Sequence, residues 1–347
     1  ATTGLVAAAG VGLSAWGQAR SDRAPRVTSL ALLGLSWLAL ALLALGVPLR
    51  LPRIQPVDGD WLLPAVVGAF TALALLLVTG RAALAVLPEI RGPRLAAAGA
   101  LAPSLSGALA TLDLALVWDI VHGRHWKDRA IVRPVRGRLR GALALVDRDV
   151  ARLRRAPGPA AALAACLVVP YVAAALDLGR AILLVAVLTS FVAGIGLFAG
   201  LRVISRTPLL ARCLPLTGPT TWWACLVVPG MTTLAWSLLA APALASGLDD
   251  GAAPQALVGL LAAVVVALAS VSASVRWMTG RAPDYRMPLV SSPAGAIPTS
   301  LIGSVVRGPD MVLLVTAPVL LVPTEQGLLV ACAVGVLALV VQVQRAP

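Results

Sequence analysis

The chain has 347 residues, of which 59% are hydrophobic and only 12% charged, and its formal net charge at pH 7 is +13. A soluble globular domain carries about twice that charged fraction, so a soluble fold is excluded, and a mean hydropathy of +0.91 marks an integral membrane protein. Runs of about 20 apolar residues, enough to cross about 30 Å of hydrocarbon as a helix, recur without the alternation a barrel strand needs, so the expected class is all-α and polytopic. The arginines lie between these runs, where membrane orientation accounts for them, and no nucleic-acid partner is expected.

The first apolar run, Leu5 to Trp16, is too short to cross unless it begins upstream of Ala1, and no basic segment precedes it as in a signal peptide. The expectation is therefore that the first half is incomplete at its start. Spans follow at Val27 to Val47 and Trp61 to Val78, joined by LRLPRIQPVDGD, whose Pro and Gly interrupt any helix. The next oily run, Leu95 to Val121, contains Pro103, Asp113 and Asp119. A charge at mid-bilayer costs about 2.5–3.5 kcal/mol on insertion scales, so this run is assigned to the cytoplasmic side as an amphipathic or re-entrant segment.

From Arg124 to Arg155 the chain turns basic, with ten Arg and the protein's only Lys, Lys127, against three Asp. Leu139, Leu143, Leu145, Val146, Val150 and Leu153 keep an apolar stripe at helical spacing. A helix along a membrane surface is expected here, with Arg148, Arg152, Arg154 and Arg155 meeting anionic lipid. Beyond it six spans are expected: Pro159 to Leu176, Ala181 to Gly200, Trp222 to Ala245, Ala256 to Val275, Asp310 to Val322 and Gly327 to Val343. The last two are either two full crossings or a half-inserted hairpin, because the first is short and ends at Pro323. The domain reading is thus a first transmembrane half over 1–121, a basic cytoplasmic linker and surface helix over 122–157, and a second half over 158–347, with about nine spans in all.

With the basic segment cytoplasmic, all but Arg50, Arg53 and Arg180 of the 28 Lys and Arg lie inside, the distribution expected of a cytoplasmic (inner) membrane protein. Trp61, Trp222, Trp223 and Trp277 fall at span ends, as interfacial aromatics do. Trp37 and Trp236 lie in mid-span, and each is followed by an outer loop, a second span and the same tetrapeptide, Thr79-Gly80-Arg81-Ala82 or Thr279-Gly280-Arg281-Ala282. The matching position of the two copies predicts two related halves.

Chemistry-bearing motifs are sparse. No Walker A pattern surrounds Lys127, so the chain is not expected to hydrolyse ATP or to be an enzyme. His122 and His125 lack a neighbouring Cys or Glu, and no metal is assigned. The four cysteines are scattered, three of them within apolar runs, and read as small apolar residues. The one adjacent acidic pair, Asp249-Asp250, falls in an outer loop, and Asp147 and Asp149 point to different faces of their helix, which disfavours a Mg²⁺-dependent lipid-linked transferase. Ionisable residues are nearly absent from the spans, which suits an apolar or amphipathic cargo better than an ion. Gly196 and Gly200 form a GxxxG that would let two helices approach closely.

The loop Leu201 to Thr221 is basic and holds a short amphipathic segment, with Leu209, Leu210, Cys213 and Leu214 against Arg206 and Arg212. The resulting order is surface helix, two spans, short inner helix, two spans, inner loop and final hairpin. This order resembles the ABC-2-type permeases. ALVDRDVARLRRAPG, LRVISRTPLLARCLPLT and APDYRMPLVSSPAGAIPTSLIGSVVRGPDMVLL look like a family of uncharacterised ABC exporter-like membrane proteins from high-GC bacteria, over most of residues 139 to 343. The sequence departs from that pattern at its start, where a first surface helix and span are expected.

The resemblance implies the membrane subunit of an exporter, with a site between two halves exposed alternately and ABC ATPase subunits on other chains carrying ATP and Mg. ATPase coupling would fall to Arg202, Arg206, Leu209, Leu210, Arg212 and Leu214, with Arg81 and Arg281 in the inner segments. Membrane lipids and a second permease or second copy are the other expected partners, and the alternative roles are a non-transporting assembly or regulatory subunit or, with less support, a membrane-embedded lipid-linked transferase. The orientation is directly testable. In a cysteine-free background, a cysteine at Arg136 should react only from the cytoplasmic side and one at Gly251 from outside. Labelling of both by an impermeant reagent on intact cells would overturn the topology.

Overall fold

The computed structural model describes scattered positions between 34 and 45, residue 81, and then 137, 139–248, 254–280, 289–292, 295–298, 306–322 and 324–345. By contacts the chain divides into two units, one of Ala1–Leu42 with Val47–Gly107 and one of Leu43–Gly46 with Ala108–Pro347. The second unit holds nearly all of the described residues. The first of the two hairpins expected to be equivalent, Val27 to Val78, lies largely outside the described residues, and Leu95 to Val121 and Arg281 lie wholly outside them.

Among its described residues the second unit is helical, apart from a small hairpin in which β1 (Leu289–Ser292) pairs antiparallel with β2 (Gly295–Pro298), Val290 in register with Ile297. Helix α1 (Ala142–Arg155) begins after Gly141, whose φ is +61°, and carries Arg152, Arg154 and Arg155 in its last turn, where cations favour the negative end of the helix dipole. The first span is two helices, α2 (Gly158–Ala165) and α3 (Val168–Ala175). Pro170 explains the break: it cannot donate to the Cys166 carbonyl one turn earlier, and its ring crowds that carbonyl. The Val169 amide, one residue nearer, donates to it instead, at 3.1 Å. The turn between the first two spans then closes with Leu178 N–H donating to Ala173 O at 3.2 Å and Asp177 in a left-handed conformation, φ 50°, as at many helix C-caps.

The second span runs from Ala181 to Arg206, longer than the sequence indicated, in three pieces. These are α4 (Ala181–Gly194), a 3₁₀ segment (Ile195–Phe198) and α5 (Ala199–Arg206). A six-residue helix, α6 (Pro208–Cys213), leads to α7 (Gly218–Leu248) and α8 (Gln255–Met278). The chain closes with α9 (Pro309–Leu321) and α10 (Glu325–Gln344). Among the described residues, five helical segments are long and apolar enough to cross a membrane. With 13 residues, α9 reaches only about 20 Å along its axis, short as expected, but its partner α10 has crossing length.

Helix α8 is the hub, touching α4, α7, α9 and α10. Its buried positions, among them Ala262, Ala263, Val265, Val266 and Ala269, nearly encircle it. Such a helix has little face left for lipid, and its wealth of Ala and Val lets four neighbours close in. Several buried hydroxyls are satisfied within their own helices: Thr233 Oγ1 donates to Pro229 O at 2.8 Å, Ser270 Oγ to Val266 O at 2.7 Å and Thr316 Oγ1 to Val312 O at 2.8 Å. Where α7 and α8 approach closely, a Cβ on Gly259 would stand 2.8 Å from the Ala241 carbonyl oxygen. Gly259→Ala should therefore lower stability by about 1–3 kcal/mol through backbone displacement. Gly230→Ala, where a Cβ meets nothing within 4 Å, should gain up to about 1 kcal/mol from helix propensity. Thermal unfolding of the two variants in the same detergent would check the opposite signs.

Candidate functional site

The basic end of the second unit gathers α1, the 3₁₀ segment, α5, α6, the start of α7 and the end of α8. Ala142, Val146 and Leu153 of α1 pack on the core and Leu145 is buried, with α7 as the main neighbour. One turn from Leu145 on the same face stands Asp149, only 6% exposed. It fits inside the apolar stripe because the position opposite has no side chain: a Cβ on Gly200 would stand 2.7 Å from Asp149 Oδ1 and 3.1 Å from Arg152 Nη1. A glycine of the GxxxG pair thus makes room for an ion pair.

Arg152 Nη2 is 3.6 Å from Asp149 Oδ1 and donates to the carbonyl of Leu197 in the 3₁₀ segment. A 3₁₀ turn inside a longer helix interrupts the regular α ladder, and the guanidinium takes one of the carbonyls there. Asp149 Oδ2 has no hydrogen-bond partner. Burial pushes the Asp149 carboxyl above the usual carboxylate range, against the opposing pull of Arg152 and then Arg148. Cys225 of α7 lies close enough to feel the same charge.

Of the four arginines assigned to lipid, Arg148, Arg154 and Arg155 are exposed. Arg152 turns inward to the Leu197 carbonyl. Leu139 and Leu143, which spacing alone put on the apolar stripe, are 47% and 59% exposed.

The residues assigned to coupling also divide. Arg202 is buried, its guanidinium 5.5 Å from the centroid of the Trp277 ring, a cation–π contact that ties α5 to the end of α8. It anchors the helix rather than presenting a charge. Arg206 and Arg212 are exposed, Leu209 is 73% exposed and Leu210 half-buried. Ala211, Leu214 and Leu216 pack against the core. Helix α6 is therefore held from beneath, with Pro208 in its first turn, where the missing amide has no intrahelical partner to lose. Arg81 is exposed on a helical residue of the first unit. At the end of α8, Arg276 Nε meets Asp310 Oδ2 at 3.0 Å, while Asp310 Oδ1 accepts from the amides of Gly308 and Met311 at 2.8 and 2.9 Å, satisfying donors at the start of α9.

Among the described residues no group of three His, Cys, Asp or Glu could hold a metal ion. Asp149 as an inward group is what sequence reasoning missed. The signal was present, since Leu145, Asp149 and Leu153 share one helical face.

Fold and site together define a multi-pass helical membrane protein with a basic, tightly packed end. The chain belongs to the DUF6297 family, a family of unknown function, whose model matches residues 1–288. No curated protein and no solved structure matches it. The family carries no assigned activity.

The ion pair makes a stability prediction. Arg152→Ala should destabilise by about 1–2 kcal/mol, a value discounted for the guanidinium's partial exposure, through loss of its bond to Leu197 O and, at pH values where Asp149 is ionised, through loss of that carboxylate's cation. Adding Asp149→Asn should recover more than half of the loss at pH values where Asp149 is ionised and little at acid pH, where the carboxyl is already neutral. Thermal unfolding of the single and double variants checks it, and a double variant no more stable than the single would show that Arg152 acts through packing alone.

Proposed function

We propose that this chain is the membrane-spanning permease subunit of an ABC exporter, moving a hydrophobic or amphipathic compound under the drive of separate ATPase subunits. The observation that carries the reading is α6. It joins two membrane-crossing segments, rests on the core through its own Ala211 and through Leu214 and Leu216 just beyond it, and turns Leu209 and Arg212 outward beside Arg206 at the end of α5. A helix anchored on one side and presenting a mixed apolar and cationic face on the other suits a partner that pushes on it.

Force on α6 has two rigid routes into the membrane. Toward the amino-terminal side only Thr207 separates it from α5, whose Arg202 is fixed over Trp277 of α8. Toward the carboxy-terminal side, Leu214 and Leu216 pack on the core just ahead of α7. A push would therefore shift the second span, α7 and α8 together. Alternating exposure of a cargo site is the mechanism this suits. The cargo class follows from charge: between Ala181 and Met278, the described spans carry Arg202, Arg206 and Arg276 near one end and no acidic residue. ATP and Mg belong to the partner ATPase.

Replacing Arg206 and Arg212 together by Glu should weaken ATPase association about tenfold or uncouple hydrolysis from cargo, since reversed charges at such a contact oppose binding. The same double change at Arg148 and Arg154 should mainly loosen the hold on anionic lipid, by about 1 kcal/mol per residue. Co-purification with the candidate ATPase and cargo-stimulated hydrolysis are the measurements. Wild-type levels of both in the Arg206/Arg212 variant would sink the coupling role of α6. Intact ATPase binding without any cargo-dependent hydrolysis in the wild type would favour the assembly or regulatory subunit instead.

A further inference from the structure

Asp149 makes poor sense as a permanent carboxylate. An ionised carboxylate can accept about four hydrogen bonds, yet this one is 6% exposed and its Oδ2 has no partner. Its other oxygen stands 3.6 Å from a guanidinium nitrogen that already donates to Leu197 O. Compensation of that quality does not repay the desolvation of a charge. A neutral carboxyl in the same seat loses far less on leaving water.

The seat itself joins two elements. Asp149 and Arg152 lie on α1, while Gly200 and Leu197 lie on either side of the junction between the 3₁₀ segment and α5. The 3₁₀ segment is an irregular point in an otherwise α-helical span, where a change of pitch is easiest.

We propose that Asp149 is a proton-binding group that latches α1 to the 3₁₀ segment of the second span, holding the helix docked when protonated and loosening it when ionised. The proton exchanges with bulk water on the side where the Arg152 side chain is 25% exposed. The groups facing the carboxyl are Arg148 and Arg152 on its own helix and the Cys225 thiol on α7. The second span offers it Gly200, without a side chain, and Arg202 two residues further on is engaged with Trp277.

The direction follows from linkage. The docked carboxyl is raised above the ordinary range, with burial as the largest cause, whereas an undocked one in water titrates in that range. Docking is thus fully favoured below the ordinary carboxylate pKa and weakens as pH rises through the docked value. Each unit of separation changes the docked-to-undocked ratio tenfold. The latch is independent of any ATPase and stands or falls apart from the exporter reading.

The test uses the full chain in lipid nanodiscs, with the four native cysteines replaced by Ala and spin labels at two exposed positions, Leu143 on α1 and Leu209 on α6. Distance distributions are recorded between pH 4 and 9. A single docked distance at acid pH, giving way to a second as pH rises with a fall in the docked-to-undocked ratio, is expected. Asp149→Asn, neutral and close to isosteric, should stay docked throughout. Gly200→Ala, whose Cβ meets Oδ1 at 2.7 Å, should be undocked at both extremes while circular dichroism shows its helices intact. A pH-independent distance in the unsubstituted protein, the same pH response in Asp149→Asn, or a docked Gly200→Ala would each overturn the latch.

Discussion

Hydrocarbon supplies neither donors nor acceptors, so a buried polar group in this bundle gains from a partner within the protein, although the hydroxyls of Ser190, Ser272 and Ser274 and the indole N–H of Trp236 have none. The hydroxyls of Thr233, Ser270 and Thr316 return to carbonyls of their own helices. The interrupted ladder ahead of Pro170 is re-satisfied by the Val169 amide. Around these local repairs, Ala, Val and Gly let backbones come together, most closely along α8, which leaves little room for further polar chemistry inside the bundle. Charge is thereby driven to the helix ends.

At the basic end the same constraint sorts the arginines. Arg202 and Arg152 carry their charge inward only because a ring face and a 3₁₀ carbonyl receive it. Arg148, Arg154, Arg206 and Arg212 reach outward. Arginine can serve in both settings because its planar cation is weakly hydrated and offers several donors at fixed angles. One residue type thus fixes the relative positions of α1, α5 and α8 and also furnishes the outward surface that a lipid headgroup or a partner chain would meet.

The apolar helices of the second unit were legible in the sequence because the length of a membrane helix is set by the bilayer and its composition by the absence of water. Most of them start and end near their expected positions, the extension of the second span to Arg206 being the largest departure. The helix before the first of these spans was legible too, from spacing alone. Harder to read were the breaks at Cys166 and Ile195–Phe198, since a proline or a glycine pair permits a break without fixing what receives the freed groups. The equivalence of two halves rests on residues of which the first copy is largely undescribed.

Composition and period were enough to establish a multi-pass helical membrane protein, to mark the helices long enough to cross, and to place its basic surface. Which charges turn inward was settled only by the packing of one helix on another. Periodicity gives the faces of a helix but not what faces them: Asp149 is buried because Gly200, distant in the chain, leaves space for it, and Arg202 is buried because Trp277 offers a ring. A charged side chain enters a core when a partner from another element receives it, and such partners are set by packing between helices rather than by any one helix's own sequence.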